Sequence, residues 1–178
     1  SWLFLDNHDT PRLPDAVADP AARRLALALL HTLPGCPTVY YGSELGMTGG
    51  EDPGMRAPMR WDLVKDNPWL ELTRHLVALR RSHRALRVGD LRWIETEQLL
   101  AFERSTDRAS EAVFVVANPS DSPVTESLLL PDSKIQAGIP LVDVLGGERQ
   151  IAPMMGVIDV SLAPQECLVL SPVTDPIG

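Results

Sequence analysis

The spacing of apolar residues changes at Gly89, and that change limits the fold more than any other feature of this chain. Before Gly89, apolar residues recur at helical spacing between short apolar runs; after it, they alternate in short stretches divided by turn residues. The chain therefore reads as two domains, 1–88 of strand-helix-strand-helix order and 89–178 of antiparallel strands. In the first, Trp2-Leu3-Phe4-Leu5 and the run 38–41 read as buried strands. Residues 13–18 read as a loop, and Asp19-Pro20 predicts a helix start. That helix buries Ala22, Leu25, Ala26, Leu29, Leu30 and Leu33 and ends at Pro34-Gly35. His31, off this face, is expected to be solvated or to cap the helix. Asn67-Pro68 opens a second helix with a buried stripe of Trp69, Leu72, Leu76 and Leu79. Its C-terminal end carries Arg80, Arg81 and Arg84, where the helix dipole favours cations.

In the second domain, strands are expected at 90–96, 99–105, 112–117, 124–130, 140–145, 149–152, 157–162 and 166–171. Gly146-Gly147 suits a tight hairpin, and residues 174–178 read as a loose tail. Short strands at close spacing with no helix between them predict an antiparallel β-sandwich.

Composition excludes several partners. The net charge of −8 and pI near 4.9 argue against nucleic acid and anionic membranes, while a neutral sugar is compatible. No run of eighteen apolar residues offers a membrane span. The chain opens on an apolar run without Met, so the lack of a leader says nothing about a longer parent. Cys36 and Cys167 fall in different domains without metal-ligand spacing and read as buried free thiols. The compartment is left open, with the cytoplasm slightly favoured.

The chemistry concentrates where the first apolar run ends. Asp6, Asn7, His8 and Asp9 follow Leu5 directly, then Thr10, Pro11 and Arg12. Four polar residues after a buried strand suit a local turn, since Asn and Asp bond nearby backbone. They equally suit the C-terminal mouth of a parallel barrel strand, where such barrels carry their catalytic groups. Residues 35–62 add GCPTVYYGSELGM and then DPGMRAPMRWD. FLDNHD, GxPxxYYGxExGM and DPxxRxPMxWD, in this order and spacing, resemble the last part of the barrel of the α-amylase superfamily of glycoside hydrolases and transglycosylases. TPR after NHD and the DPxxR spacing are most similar to the cyclomaltodextrinase, neopullulanase and maltogenic-amylase group.

The resemblance implies an α/β plus all-β chain: the last two βα units of a (β/α)8 barrel, followed by a C-terminal antiparallel β-sandwich. It implies a retaining enzyme acting on α-glucan oligosaccharides, with an Asp nucleophile and a Glu acid on earlier strands. Those two groups are absent from these 178 residues, so the chain alone is expected to be inactive. Asp9 matches the third carboxylate, a transition-state stabiliser, and His8 the neighbouring sugar-bonding histidine. Asp52 and Arg56 match a pair contacting the next sugar, although a surface salt bridge accounts for them equally well. Arg12 either touches substrate or pairs with Asp15. Tyr41 and Trp61 suit sugar stacking or core packing.

Glu44 matches a barrel-supporting residue rather than the acid, and Ser43 stands where many relatives carry Asp, leaving a polar contact there open. No cofactor is expected, and no metal, because no dense Asp/Asn cluster occurs. Two βα units leave apolar edges, which the upstream remainder of the barrel or self-association would cover. The competing reading is a non-catalytic carbohydrate- or protein-binding homologue of the same fold.

Overall fold

The computed structural model describes residues 1–130, 139–147 and 149–173. The chain divides into two compact units, Ser1–Ala78 and Leu79–Gly178.

In the first unit, β1 (Trp2–Leu3) leads through α1 (Leu13–Ala16) and α2 (Pro20–Thr32) to β2 (Cys36–Pro37). The strands pair in parallel, Trp2 opposite Cys36 and Leu3 opposite Pro37. The Cys36 N–H donates to the Ser1 carbonyl at 2.9 Å and the Thr38 N–H to that of Leu3 at 2.7 Å. Gly35, at φ +127°, permits this approach, because a Cβ there would meet the Ser1 carbonyl oxygen at 2.9 Å. The first strand is shorter than expected, and the second ends at Pro37, so the expected strand at 38–41 is not formed. Among the described residues each of the two strands has one neighbour only. Cys36 is exposed there, contrary to the expectation of a buried thiol.

Helix α2 begins as its sequence dictates. The Asp19 carboxylate accepts from the Ala21 and Ala22 N–H groups at 3.0 and 3.2 Å, with Pro20 at the first helical position. His31 is buried rather than solvated, its Nδ1 lying 2.8 Å from the Leu27 carbonyl oxygen. The expected loop at 13–18 contains α1, whose Leu13 N–H donates to the buried Asp6 carboxylate at 3.0 Å.

Helix α3 (Pro68–Ser82) starts at Asn67, whose Oδ1 accepts from the Trp69 and Leu70 N–H groups at 2.8 and 3.1 Å. The Asn67 side-chain amide also donates to the Leu45 and Leu63 carbonyls, tying the cap to the preceding loop. Leu76 and Leu79 are buried, whereas Trp69 and Leu72 are half-buried. The Arg23 guanidinium lies 4.7 Å from the Trp69 ring centre. The long 48–62 loop is shaped by 3-10 turns at Gly54–Arg56 and Trp61–Leu63.

The second unit opens with α4 (Arg84–Val88), which lies against β4. Its strands are β3 (Asp90–Trp93), β4 (Leu100–Ser105), β5 (Val113–Ala117), β6 (Val124–Leu129) and β7 (Leu141–Asp143). β8 (Gln150–Ile151), β9 (Val157–Leu162) and β10 (Cys167–Pro172) complete the described set. They form one antiparallel sheet of order β3-β4-β5-β10-β7-β8 and a second of β6-β9. Each lies within a stretch read as a strand from alternation, give or take one residue. Phe114, Val116, Leu168 and Leu170 of the larger sheet pack with Leu128, Ile158 and Val160 of the smaller in one core.

Between β7 and β8, Asp143 accepts from the Leu145, Gly146 and Val169 N–H groups, and Gly147 takes φ +83°. Burial, then the nearby Asp143 and Glu166 carboxylates, push the Cys167 thiol up to about 12, leaving it unreactive at neutral pH. The expected tail at 174–178 lies outside the described residues.

Phe114 is fully buried at the centre of the sandwich core. Phe114→Ala is expected to destabilise this unit by about 3–5 kcal/mol, read from urea unfolding, because the vacated volume is lined by rigid neighbours.

Candidate active site

A buried carboxylate organises the end of β1. Asp6 accepts from the Leu13 N–H at 3.0 Å and from the Ser43 hydroxyl, whose Oγ lies 2.7 and 2.8 Å from its two oxygens. The polar contact that the sequence left open at Ser43 therefore exists, with a hydroxyl donor. Its partner, 37 residues away, was not legible from local pattern. Gly42, at φ +84°, turns the chain into Ser43, and a Cβ at Gly42 would collide with the Met47 sulfur.

Beyond Asp6 the chain forms a tight polar turn. The Asn7 side-chain oxygen accepts from the Asp9 N–H at 2.7 Å, and the Asn7 N–H donates to the Thr10 hydroxyl at 3.0 Å. The turn fixes the backbone and leaves the next two side chains in the open. His8 Nε2 lies 3.1 Å from Asp9 Oδ2, and these side chains are 64% and 65% exposed. The turn reading of NHD is therefore met by Asn7, while His8 and Asp9 keep exposed side chains.

The 48–62 loop brings Asp52 and Arg56 to this pair. Arg56 Nη2 donates to Asp9 Oδ1 at 3.2 Å, and Arg56 Nε to the His8 carbonyl oxygen at 3.0 Å. The same Nε lies 3.7 Å from Asp52 Oδ1, across a cis Asp52–Pro53 peptide bond that begins the motif. Four of the five expected site residues thus meet in one exposed cluster. It combines two carboxylates, an imidazole and a guanidinium, a set of donors and acceptors matched to sugar hydroxyls.

Arg12 lies elsewhere. It is fully buried, its Nη1 donates to the Tyr41 carbonyl at 2.7 Å, and no ion pair joins it to Asp15. Asp15 instead accepts from the Gly49 N–H at 2.6 Å. The Arg12 guanidinium sits 4.8 and 4.9 Å from the ring centres of Tyr40 and Tyr41. Tyr41 is 39% and Trp61 74% exposed, so neither is core. Glu44, part of the Ser43–Leu45 3-10 turn, has a buried Oε2 without a hydrogen-bond partner among the described residues. Among the described residues no group of three or more His, Cys, Asp or Glu is placed to hold a metal ion, and no helix is long and apolar enough to cross a membrane.

The first unit thus carries a polar cluster just beyond a parallel strand pair, on a chain that continues into an antiparallel sandwich. Residues 1–89 match the alpha amylase catalytic domain. A cyclomaltodextrinase of Geobacillus thermopakistaniensis is 38% identical over 92% of this chain and 28% of its own length. Neopullulanase 2 of Thermoactinomyces vulgaris is 34% identical over 95% of this chain and 29% of its own. The crystal structure of an Anoxybacillus alpha-amylase superposes with a TM-score of 0.81 at 27% identity, over 98% of this chain and 38% of that one. The chain belongs to the alpha-amylase family, and it spans under a third of the length of these two curated relatives.

Tyr40 and Tyr41 are the only tyrosines in the chain, their ring centres 4.6 Å apart. Partial burial, and then the hydrogen bond and charge of Tyr41, hold the Tyr40 phenol above its ordinary 10.0, while Arg12 and Arg56 pull it back. A phenol that binds its proton more tightly when folded stabilises the fold fully below the unfolded value of 10.0 and loses that contribution as pH rises through the higher native value. Near-ultraviolet phenolate titration should therefore show one of the two tyrosines ionising late. Titration of both at the ordinary value in folded protein would contradict this packing.

Proposed function

We propose that this chain is the closing part of a retaining α-glucan hydrolase or transglycosylase. Residues 1–88 supply the last two βα units of a (β/α)8 barrel, and 89–178 its C-terminal β-sandwich domain. The family match ending at residue 89 supports that division; the compact units meet earlier, at 78/79, within α3. The nucleophile and general acid lie on elements outside these residues, so the chain alone does not hydrolyse.

The observation that carries this reading is the exposed Asp9 carboxylate, fixed by a turn behind it and flanked by His8 and Arg56. Asp9 accepts hydroxyl protons of the sugar being cleaved. As positive charge develops at the anomeric carbon, those bonds strengthen, and bonds that strengthen in the transition state raise the rate rather than only the affinity. His8 offers one donor and one acceptor to the same sugar. Asp52 and Arg56 meet the next sugar, with Tyr41 and Trp61 available as stacking faces. Arg12 supports the tyrosines from beneath and does not touch sugar.

The apolar groove lined by Trp2, Leu3, Phe4, Leu5, Ala26 and Leu29 supports the need for a cover. Trp2 and Phe4 are 79% and 54% exposed on its rim. The remaining barrel strands, or in their absence a second copy of the chain, provide that cover.

The test is a chimera in which this chain replaces the matching segment of the Geobacillus cyclomaltodextrinase, assayed by reducing-sugar release from a cyclodextrin. The chimera should be active and the 178-residue chain inactive. Asp9→Asn should lower the chimera's rate by about a thousandfold, the scale of a lost transition-state hydrogen-bond partner. Equal rates for the chimera with and without Asp9→Asn would reduce NHD to a turn. Turnover by the chain alone would overturn the assignment of nucleophile and acid to other elements.

A further inference from the structure

Arg12 is the least expected feature of the first unit. Its guanidinium is fully buried, yet only Nη1 has a hydrogen-bond acceptor; Nε and Nη2 have none among the described residues. Such a group is costly to bury unless its surroundings stabilise the charge in another way. Here the two tyrosine rings do so, at 4.8 and 4.9 Å, a geometry in which a flat cation meets negative ring faces.

Arg12 also reaches both ends of one loop. Its backbone N–H donates to the Gly49 carbonyl at 3.0 Å. Its side chain carries Tyr41, whose hydroxyl donates to the Ala57 carbonyl at 2.9 Å, and Tyr40, whose hydroxyl donates to that of Met55 at 3.4 Å. Between those anchors lies Arg56, which grips the His8 carbonyl and the Asp9 carboxylate. The contacts close a ring: Arg12 to Tyr41, Tyr41 to Ala57, Arg56 to Asp9, and the short stretch of chain from Asp9 back to Arg12.

We propose that Arg12 is a positioning residue for His8 and Asp9, acting through the tyrosine pair and the 49–57 loop to hold Arg56 against them. The proposal rests on the reading of His8 and Asp9 as the sugar-facing groups, but the brace itself exists without substrate. Lysine does not replace it. A point-charge ammonium cannot donate to the Tyr41 carbonyl while spreading over two rings, whereas a planar guanidinium does both.

Trypsin tests this directly, because cleavage after Arg56 requires that side chain to leave His8 and Asp9 and enter the protease pocket. In the 178-residue chain, Arg12→Lys should raise cleavage after Arg56 by about tenfold or more, with cleavage after arginines of Leu79–Gly178 unchanged, as expected for local opening. In tyrosine-selective NMR the two ring spin systems of the chain should both shift in Arg12→Lys. Should Arg12 variants not fold, Tyr41→Phe decides. It removes the Tyr41 hydroxyl, with its bonds to Ala57 and Tyr40, and leaves both rings on Arg12; cleavage after Arg56 should still rise several-fold. Unchanged cleavage after Arg56, or an equal rise at every site, would overturn the proposal. A silent Asp9→Asn chimera would strike the sugar-facing reading and leave the brace standing, so the two failures are distinguishable.

Discussion

The first unit depends on one buried carboxylate. Asp6 sits just beyond β1 and binds two groups distant in sequence, the Leu13 N–H that opens α1 and the Ser43 hydroxyl that follows Gly42. Burying a carboxylate is tolerable only when donors satisfy it, so these contacts require each other. They fix the exit of β1 relative to α1 and to the turn after Tyr41. Everything placed beyond Leu5, including His8 and Asp9, takes its direction from this junction.

From that anchor outward the structure trades burial for exposure in steps. Asp6 is buried, Asn7 spends its side chain on the turn, and His8 and Asp9 are left open. Arg56 then restrains the open pair from the opposite side. Exposed ion pairs contribute little to stability, so this web is poorly explained as a device for holding the fold together. It is well explained as orientation. Arg56 holds one Asp9 oxygen and the His8 carbonyl, and His8 Nε2 lies on the other Asp9 oxygen, so both carboxylate oxygens are directed by neighbours.

Much of this was legible in the sequence, and the limits have physical causes. Asp19-Pro20 and Asn67-Pro68 located two helix starts because caps act within about three residues. Alternation located the strands of the sandwich because each buries one face against the core. The run 38–41 misled, since β-branched and aromatic residues favour strands wherever pairing is available. Here Tyr40 and Tyr41 pack on a guanidinium instead. The motifs grouped His8, Asp9, Asp52 and Arg56, but no local pattern reveals that Ser43 reaches Asp6 or that Arg12 lies beneath the tyrosines. Those contacts span 37 and 29 residues and belong to tertiary structure alone.

On this account, Arg56 orients Asp9 in addition to its place beside the next sugar, and a double-mutant cycle measures this most directly. Asp9→Asn, Arg56→Gln and the double variant would be compared by kcat/KM on a cyclodextrin in the cyclomaltodextrinase chimera. Non-additivity, with Arg56→Gln costing clearly less once Asp9 is gone, is the predicted result, at a coupling of about 1–3 kcal/mol. Simple additivity would mean that the Arg56 contact with Asp9 is a surface salt bridge without a role in orientation.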